Sequence, residues 1–208
     1  MQIDFTGPAG RLEGLLEGPD APRAAVVFGH PHPLLGGGGT MHTKGVYQGA
    51  KGLTRIGCSV LRFNFRGVGR SAGTFDEGVG ERADFTAALD FMAAKFPGVP
   101  LWAAGFSFGS WIALETGAAD PRVSLLIGIA PPWTREGYTW PNTLETEKPK
   151  FFVQGESDEI CAIQDMWAYY AKLKEPKELV VIDGANHLFD RQASEVGEAL
   201  EELLGDYE

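Results

Sequence analysis

The hydrophobic positions of the chain fall into two kinds of segment that alternate along most of its length. Short continuous apolar runs, bounded by glycine, proline or polar turns, are typical of strands that are covered on both faces. Longer segments with apolar residues at helical spacing lie between these runs. The pattern predicts strands at 24–28, 59–65, 99–104, 124–130, 150–154 and 178–182, and helices at 43–55, 79–96, 162–173 and 192–204, with another helix beginning near 110.

The alternation of strands and helices predicts an open, mostly parallel sheet with helices on both faces. Residues 2–6 and 11–17 precede it and predict a hairpin at the sheet edge. Residues 131–148 contain proline and tryptophan and predict a loop that is too short for a lid domain. With 208 residues, 44% of them hydrophobic, the chain can bury one sizeable core, so we expect a single domain over residues 1–208.

The charge and the cysteine content of the chain indicate which binding partners and which cellular compartment to expect. The chain has 18 Lys and Arg against 28 Asp and Glu, a net charge of −10, which argues against nucleic acids and anionic membranes as partners. The N-terminus lacks the basic flank and apolar run of a signal peptide, so we expect a cytoplasmic protein. Cys58 and Cys161 form neither a disulfide framework nor a metal-binding spacing.

A Gly-x-Ser-x-Gly motif at 105–109 lies between a predicted strand and a predicted helix. In that position the motif predicts a nucleophile elbow, a turn so tight that glycines flank an outward-facing serine, here Ser107. The motif alone is weak evidence in a chain with 28 glycines. A serine hydroxyl is also inert at neutral pH unless a base removes its proton, so a histidine and an orienting carboxylate must follow.

Two later loops supply these groups. Asp158 follows the strand at 150–154, and His187 follows the strand at 178–182. Both loops lie at the carboxyl ends of predicted parallel strands, the same sheet edge as Ser107, in the order Ser, Asp, His that the elbow motif requires. We expect Ser107 to attack a carbonyl carbon, His187 to act as base and acid, and Asp158 to orient the imidazole. Glu156 or Glu159 could replace Asp158.

An oxyanion intermediate would need two N–H donors. One is the residue after the nucleophile, Phe108, and the other comes from the loop after the first parallel strand. That loop reads His-Pro-His-Pro-Leu at 30–34, and proline has no N–H. We favour His32 as the second donor, with Leu34 as the next choice. Trp111, Trp133, Tyr138 and Trp140, together with Phe108, could line a substrate pocket, although large aromatic residues lie more often in the core.

Two cofactor interpretations are weaker than this one. His30, His32 and His42 contain a His-x-His pair, but the adjoining prolines make convergence on a metal ion awkward. Residues 67–72 mimic a dinucleotide-binding fingerprint, yet the residues after them prolong a loop where a helix should begin. We therefore expect neither a metal nor another cofactor.

The combined motifs resemble the α/β-hydrolase superfamily. More narrowly, the chain resembles small, lidless bacterial serine hydrolases that have His-Pro-His-Pro, Phe-Asn-Phe-Arg-Gly-Val-Gly-x-Ser, Gly-Phe-Ser-Phe-Gly and Gly-x-x-His blocks, here at 30–33, 63–71, 105–109 and 184–187. The resemblance implies an α/β-hydrolase fold with an eight-stranded sheet, a triad of Ser107, Asp158 and His187, and no cofactor. It also implies simple ester hydrolysis.

The sequence thus predicts a serine carboxylesterase that acts on small esters with short acyl chains. A thioesterase or a peptidase on the same triad is one alternative, because the motif does not encode the leaving group. A catalytically silent binding module with the same fold is another. The oligomeric state is not encoded in these motifs, and a homodimer stays open.

Overall fold

An eight-stranded sheet, with strand order β1-β2-β4-β3-β5-β6-β7-β8, forms the centre of the molecule. The computed structural model describes residues 1–207. The strands are β1 (Gln2–Gly7), β2 (Gly10–Glu17), β3 (Ala25–Gly29), β4 (Ser59–Phe63), β5 (Leu101–Phe106), β6 (Val123–Ile129), β7 (Lys150–Gly155) and β8 (Lys177–Ile182). The helices are α1 (Lys44–Arg55), α2 (Val79–Lys95), α3 (Phe108–Ala119), α4 (Pro141–Glu145), α5 (Ile163–Tyr170) and α6 (Ala193–Leu204).

The direction of the strands puts their carboxyl ends along one edge. Strands β4, β3, β5, β6, β7 and β8 are parallel to one another, whereas β1 and β2 form an antiparallel hairpin in which β2 pairs antiparallel with β4. Every residue of β3, β4, β5 and β7 is buried, as continuous apolar runs require. The predicted mostly parallel sheet with an edge hairpin is therefore confirmed.

Two apolar cores cover the two faces of the sheet. Helices α2 and α3 pack on one face, where Leu89, Met92 and Leu114 are fully buried. Helices α1 and α6 pack on the other face, where Leu53 and Leu200 are fully buried. Each such side chain contributes roughly 1.5–3 kcal/mol of burial free energy, so both helical layers hold the sheet rigid beneath its loops.

The contact between α1 and α6 is unusually close because glycines meet there. A Cβ atom on Gly52 would lie 2.3 Å from the carbonyl oxygen of Gly197, and a Cβ on Gly197 would lie 2.6 Å from that of Gln48. A Cβ on Gly49 would come within 3.0 Å of the Phe28 ring on β3. The glycines that lower the helix propensity of this segment thus permit its backbone to approach its neighbours.

The segment predicted to be a loop at 131–148 differs from that prediction. It contains the short helix α4, which begins at Pro141, a residue whose fixed φ suits a first helical turn. The buried Glu115 carboxylate accepts the backbone N–H groups of Asn142 and Thr143 and so anchors the helix to α3. The connection between β6 and β7 is fully described and has no lid domain. No helix within residues 1–207 is long and apolar enough to span a bilayer.

Candidate active site

Ser107 lies in a strained turn between β5 and α3. Its φ of 54° and ψ of −119° fall outside the regions that residues with a side chain usually occupy. A Cβ on Gly105 would lie 2.1 Å from the carbonyl oxygen of Gly109, and a Cβ on Gly109 would lie 2.4 Å from the backbone of Gly29. Only glycine therefore fits on either side of Ser107. The Ser107 N–H donates to the Ile129 carbonyl at 2.8 Å, which ties the turn to β6.

The structure brings Ser107, His187 and Asp158 into one hydrogen-bonded row. His187 Nε2 lies 3.0 Å from Ser107 Oγ, and His187 Nδ1 lies 2.9 Å from Asp158 Oδ2. All three residues are buried, with 6–8% of their surface exposed. A base hydrogen-bonded to a hydroxyl on one side and to a carboxylate on the other can take up the hydroxyl proton and keep a fixed tautomer.

The Asp158 carboxylate is held in place by hydrogen bonds other than the one to the imidazole. Its Oδ1 accepts the backbone N–H groups of Ile160 at 2.9 Å and Cys161 at 2.7 Å. Its Oδ2 accepts Nε2 of Gln154, a fully buried side chain at the end of β7, at 3.0 Å. These N–H donors hold the carboxylate in one orientation towards His187.

The other two acids of this loop have different partners. Glu156 accepts the backbone N–H of Gly184 at 2.9 Å, and Glu159 accepts that of His187 at 3.2 Å. Both carboxylates therefore bridge the loop after β7 to the loop after β8. Neither makes a hydrogen bond to the His187 ring among the described residues.

The candidate oxyanion donors differ in whether their backbone N–H already has an acceptor. Phe108 is the first residue of α3, so its N–H has no acceptor within the helix. No hydrogen bond from the N–H of His32 or Phe108 is found within residues 1–207, and both residues line the cavity beside Ser107. The Leu34 N–H instead donates to His32 Nδ1 at 3.1 Å. Leu34 is therefore wrong as the alternative donor, because its proton is already engaged.

A cavity of about 210 Å³ opens beside the Ser107 hydroxyl. Its wall is mainly apolar, and the two polar groups of the row, Ser107 and His187, lie on it. The loop after β3, the connection after β6 and the loops after β7 and β8 all contribute. The lining residues are Pro31, His32, Leu35, Gly36, Gly38, Gly39, Thr43, Ser107, Phe108, Pro132, Arg135, Tyr138, Ile160, His187 and Leu188.

Of the four aromatic residues predicted to line a substrate pocket, Tyr138 does so and the three tryptophans do not. Trp133 and Trp140 are 2% and 4% exposed and pack on each other with ring centroids 4.3 Å apart. Trp111 lies behind Tyr138, stacked on it at 3.9 Å. The indole N–H groups have protein acceptors, namely Met166 Sδ for Trp133, the Trp133 carbonyl for Trp140 and the Thr139 carbonyl for Trp111. The prediction that the tryptophans line the pocket is corrected, since burial with satisfied N–H groups makes them core residues.

Sequence patterns missed several lining residues because these lie in loops without a motif. Leu35 and Ile160 are apolar yet largely exposed, which is an available but weak signal of a binding surface. Four consecutive glycines at 36–39 lie in the loop after β3, and Gly36, Gly38 and Gly39 line the cavity. A Cβ on Gly39 would lie 2.2 Å from the Pro31 carbonyl oxygen, so this glycine lets the loop fold back on itself beside the cavity.

Metal-binding interpretations fit these residues poorly. His30 donates from Nδ1 to the Pro31 carbonyl and accepts the Phe65 N–H at Nε2, so neither nitrogen is available as a ligand. Asp158, Cys161 and His187 place ligand atoms within 4.8 Å of one another. However, Asp158 Oδ2 and His187 Nδ1 already bond each other at 2.9 Å, and His187 Nε2 bonds Ser107 Oγ at 3.0 Å, so these ligand atoms are engaged.

Comparisons with known proteins show the family to which the chain belongs. Residues 20–144 match the family model described as serine aminopeptidase, S33. The protein RP471 of Rickettsia prowazekii (strain Madrid E) is 38% identical over 213 residues, which span 98% of this chain and 88% of that protein.

Solved structures extend the likeness to the whole fold. An α/β serine hydrolase homologue from Coxiella burnetii is 37% identical with a TM-score of 0.90, over 98% of this chain and 97% of that one. XC6422 from Xanthomonas campestris, described as an α/β serine hydrolase without a lid, is 33% identical with a TM-score of 0.87, over 97% and 92%. The chain therefore belongs to the serine aminopeptidase S33 family, and its fold is that of the lidless α/β serine hydrolases.

Proposed function

We propose that this protein is a carboxylesterase that hydrolyses small esters through an acyl-enzyme on Ser107. The observation that carries the proposal is the row in which His187 lies 3.0 Å from the Ser107 hydroxyl and 2.9 Å from the Asp158 carboxylate. The row lies at the wall of a cavity that can hold a small acyl group.

The chemistry follows from the positions of the protons. His187 Nε2 takes the Ser107 proton as Oγ attacks the ester carbonyl carbon, and it returns that proton to the departing alcohol oxygen as the carbon–oxygen bond breaks. A water molecule then attacks the acyl-enzyme, loses a proton to His187 and releases the carboxylic acid, while the proton returns to Ser107. Asp158 holds Nδ1 protonated and stabilises the imidazolium in both halves.

The oxyanion that forms at each stage needs donors aimed at it. We assign this role to the backbone N–H groups of Phe108 and His32. Phe108 begins α3, so the positive end of the helix dipole supports the same charge. Prolines on both sides of His32 limit the motion of its loop, which keeps its N–H oriented before substrate arrives.

The lining of the cavity argues against a substrate with a free α-amino group, such as an aminopeptidase binds. An aminopeptidase has to bind a cationic α-amino group, and an acidic side chain is the usual partner for such a group. None of the described residues that line the cavity is acidic, and one of them is Arg135. The cavity volume of about 210 Å³ also suits short acyl groups better than lipid chains.

Replacing the nucleophile tests the proposal directly. Purified protein is expected to hydrolyse p-nitrophenyl acetate and butyrate, and Ser107→Ala is expected to reduce the rate to the background level because no hydroxyl remains to be acylated. Release of p-nitrophenolate is measured by absorbance. Ser124→Ala is the matched control, since this serine lies near the opposite end of the sheet and its hydroxyl contacts only the Leu101 carbonyl among the described residues. An unchanged rate in Ser107→Ala would reject the assignment.

The alternatives give different results in parallel assays. Faster turnover of a matched thioester or of aminoacyl p-nitroanilides would replace the esterase proposal by a thioesterase or a peptidase. A silent binding module would fail to react with a fluorophosphonate, whereas we expect the label on the peptide that contains Ser107.

A further inference from the structure

Arg135 is the one lining residue of the candidate cavity that carries a fixed positive charge. No acidic residue lines the cavity among the described residues, and the other basic side chains on its wall are His32 and His187. Burial, and then the charge of Arg135, lower the pKa of His32, which disfavours a positive charge on its ring. Arg135 is therefore the fixed cation that a substrate in this cavity can contact.

Arg135 is an exposed residue without an acidic partner at salt-bridge distance among residues 1–207, although the protein carries a net charge of −10. Its neighbour Glu136 lines an adjoining shallow hollow together with Arg135 but does not line the cavity beside Ser107. An arginine left without an acidic partner beside a reactive serine can pair with a charge on the substrate.

A column of stacked side chains holds this arginine at the cavity. The Arg135 guanidinium lies 5.7 Å from the centre of the Tyr138 ring, and that ring stacks on Trp111 with centroids 3.9 Å apart and planes 5° apart. On the other side of the column, the Arg82 guanidinium lies 4.6 Å from the Trp111 ring. Trp111 is almost fully buried and donates to the Thr139 carbonyl at 2.9 Å, so the base of the column is fixed. Cation–π contact with a fixed ring limits the positions of the guanidinium.

We infer that Arg135 binds a carboxylate on the substrate, so that the enzyme prefers esters that carry a free carboxylate to neutral esters of the same size. A guanidinium offers paired N–H donors that match the two oxygens of a carboxylate. The inference rests on the proposed esterase activity and specifies its substrate class. The carboxylate can lie on the acyl side, as in a monoester of a dicarboxylic acid, or on the alcohol side.

Two matched substrate pairs test the inference and distinguish the two sides. The acyl pair is mono-p-nitrophenyl adipate against p-nitrophenyl hexanoate, which have acyl chains of equal length. The alcohol pair is para-butanoyloxybenzoate against its methyl ester. We expect wild-type kcat/KM to favour the carboxylate in at least one pair by about fivefold to tenfold, which is the size of a partly exposed charge pair, and the preference to fall with added salt.

Variants at position 135 connect the preference to this side chain. Arg135→Gln is expected to abolish the preference while neutral esters are still hydrolysed, and Arg135→Lys is expected to restore part of it because the charge is kept but the paired geometry is lost. Lys95→Gln is the control, because it removes the same charge from an exposed position at the end of α2, away from the carboxyl ends of the strands. The inference is wrong if wild type favours neither carboxylate, or if Arg135→Gln keeps the wild-type ratio.

A binding measurement separates failure of this inference from failure of the esterase proposal. Ligand-observed NMR on Ser107→Ala compares monomethyl adipate with methyl hexanoate where no turnover occurs. Tighter binding of the adipate, lost in Ser107→Ala/Arg135→Gln, supports the carboxylate site even if no ester is hydrolysed. Equal binding of the two compounds contradicts it even if neutral esters are good substrates.

Discussion

At the scale of single residues, the carboxylate of Asp158 is the best-supported group of the site. Four N–H groups point at it, from Gln154, Ile160, Cys161 and His187. A carboxylate held by so many donors cannot rotate freely. Its position therefore decides which nitrogen of the His187 ring carries the proton.

We expect Asp158→Asn to lower kcat by about 10³-fold to 10⁴-fold while the fold is kept. The asparagine oxygen can still accept backbone N–H groups, but its amide can donate to His187 Nδ1 and so favours the tautomer whose Nε2 cannot accept the Ser107 proton. Steady-state kinetics with p-nitrophenyl butyrate measures the loss.

Glu156→Gln serves as the control for Asp158→Asn, because Glu156 bonds the Gly184 backbone and not the imidazole. A glutamine oxygen can keep that hydrogen bond, so its rate should stay near the wild-type value. Comparable losses in the two variants would contradict the special role of Asp158.

How far residue roles could be predicted from the sequence depends on local chemistry. Ser107 and its flanking glycines have a motif because the strained turn tolerates few residue types. Gln154 has no such motif, and only the structure reveals that its side chain supports Asp158. Trp133 and Trp140 were misassigned because an aromatic side chain in a loop sequence looks the same whether it faces a cavity or the core.

At the scale of secondary structure elements, the packing of α1 against α6 explains the composition of α1. Glycine lowers helix propensity, so the sequence pattern predicts α1 but gives no reason for its glycines. The structure shows that Gly52 of α1 lies against the backbone of Gly197 in α6. Such a contact depends on residues distant in the chain, so it could not be deduced from local propensities.

Gly52→Ala is expected to lower the free energy of unfolding by about 2 kcal/mol. The new methyl group would lie 2.3 Å from a backbone oxygen, and the resulting overpacking exceeds the gain in helix propensity of about 1 kcal/mol. Urea denaturation followed by circular dichroism measures the change.

Gly45→Ala is the matched substitution in the same helix. Its Cβ would meet the edge of the Phe106 ring at 3.0 Å, and a side chain can yield where a backbone cannot. We expect a smaller change, within about 1 kcal/mol. Equal losses in the free energy of unfolding for the two variants would contradict the proposed importance of the close contact between α1 and α6.

The sequence did not predict the end of the strand at 59–65 or the presence of α4. The strand predicted at 59–65 ends at Phe63, since the apolar pattern continues into a turn whose Phe65 packs on His30. Helix α4 is too short for a periodic signal and depends on Glu115, which lies in another helix. Both differences arise from tertiary contacts.

At the scale of the whole molecule, one buried histidine links stability to pH. His30 is fully buried, and burial lowers its pKa to about 4. Both of its ring nitrogens are hydrogen-bonded, so protonation would break the bond that the Phe65 N–H donates to Nε2. The unfolded chain binds a proton on this histidine more readily, near pH 6.5.

The sign of the effect follows from linkage. Because the folded pKa is depressed, the stabilisation is complete above pH 6.5 and is lost as the pH falls towards 4. We expect the free energy of unfolding to drop by about 2 kcal/mol between pH 6.5 and pH 5. Relief of the net negative charge acts in the opposite direction there, since the isoelectric point is near 4.9. Urea titrations at a series of pH values measure the slope.

Two histidine variants identify the source of that slope. His30→Gln is expected to be less stable at pH 7 and to show a flatter pH dependence, whereas His42→Gln, at an exposed position, should keep the wild-type slope. The carboxyl groups of Glu13 and Asp120, whose pKa values are lowered by their arginine partners, destabilise the fold only at lower pH. A wild-type slope in His30→Gln would contradict the role of the buried imidazole.

Trp133 and Trp140 pack on each other and so fix the two ends of the segment that contains Arg135 and Tyr138. The residues of the row, Ser107, Asp158 and His187, lie on other connections of the sheet. On the proposed function, we expect substitutions between the two tryptophans to change substrate preference while the row of Ser107, His187 and Asp158 is kept. Homologues could therefore diverge in substrate preference by substitutions within residues 134–139 while they keep the same three residues of the row.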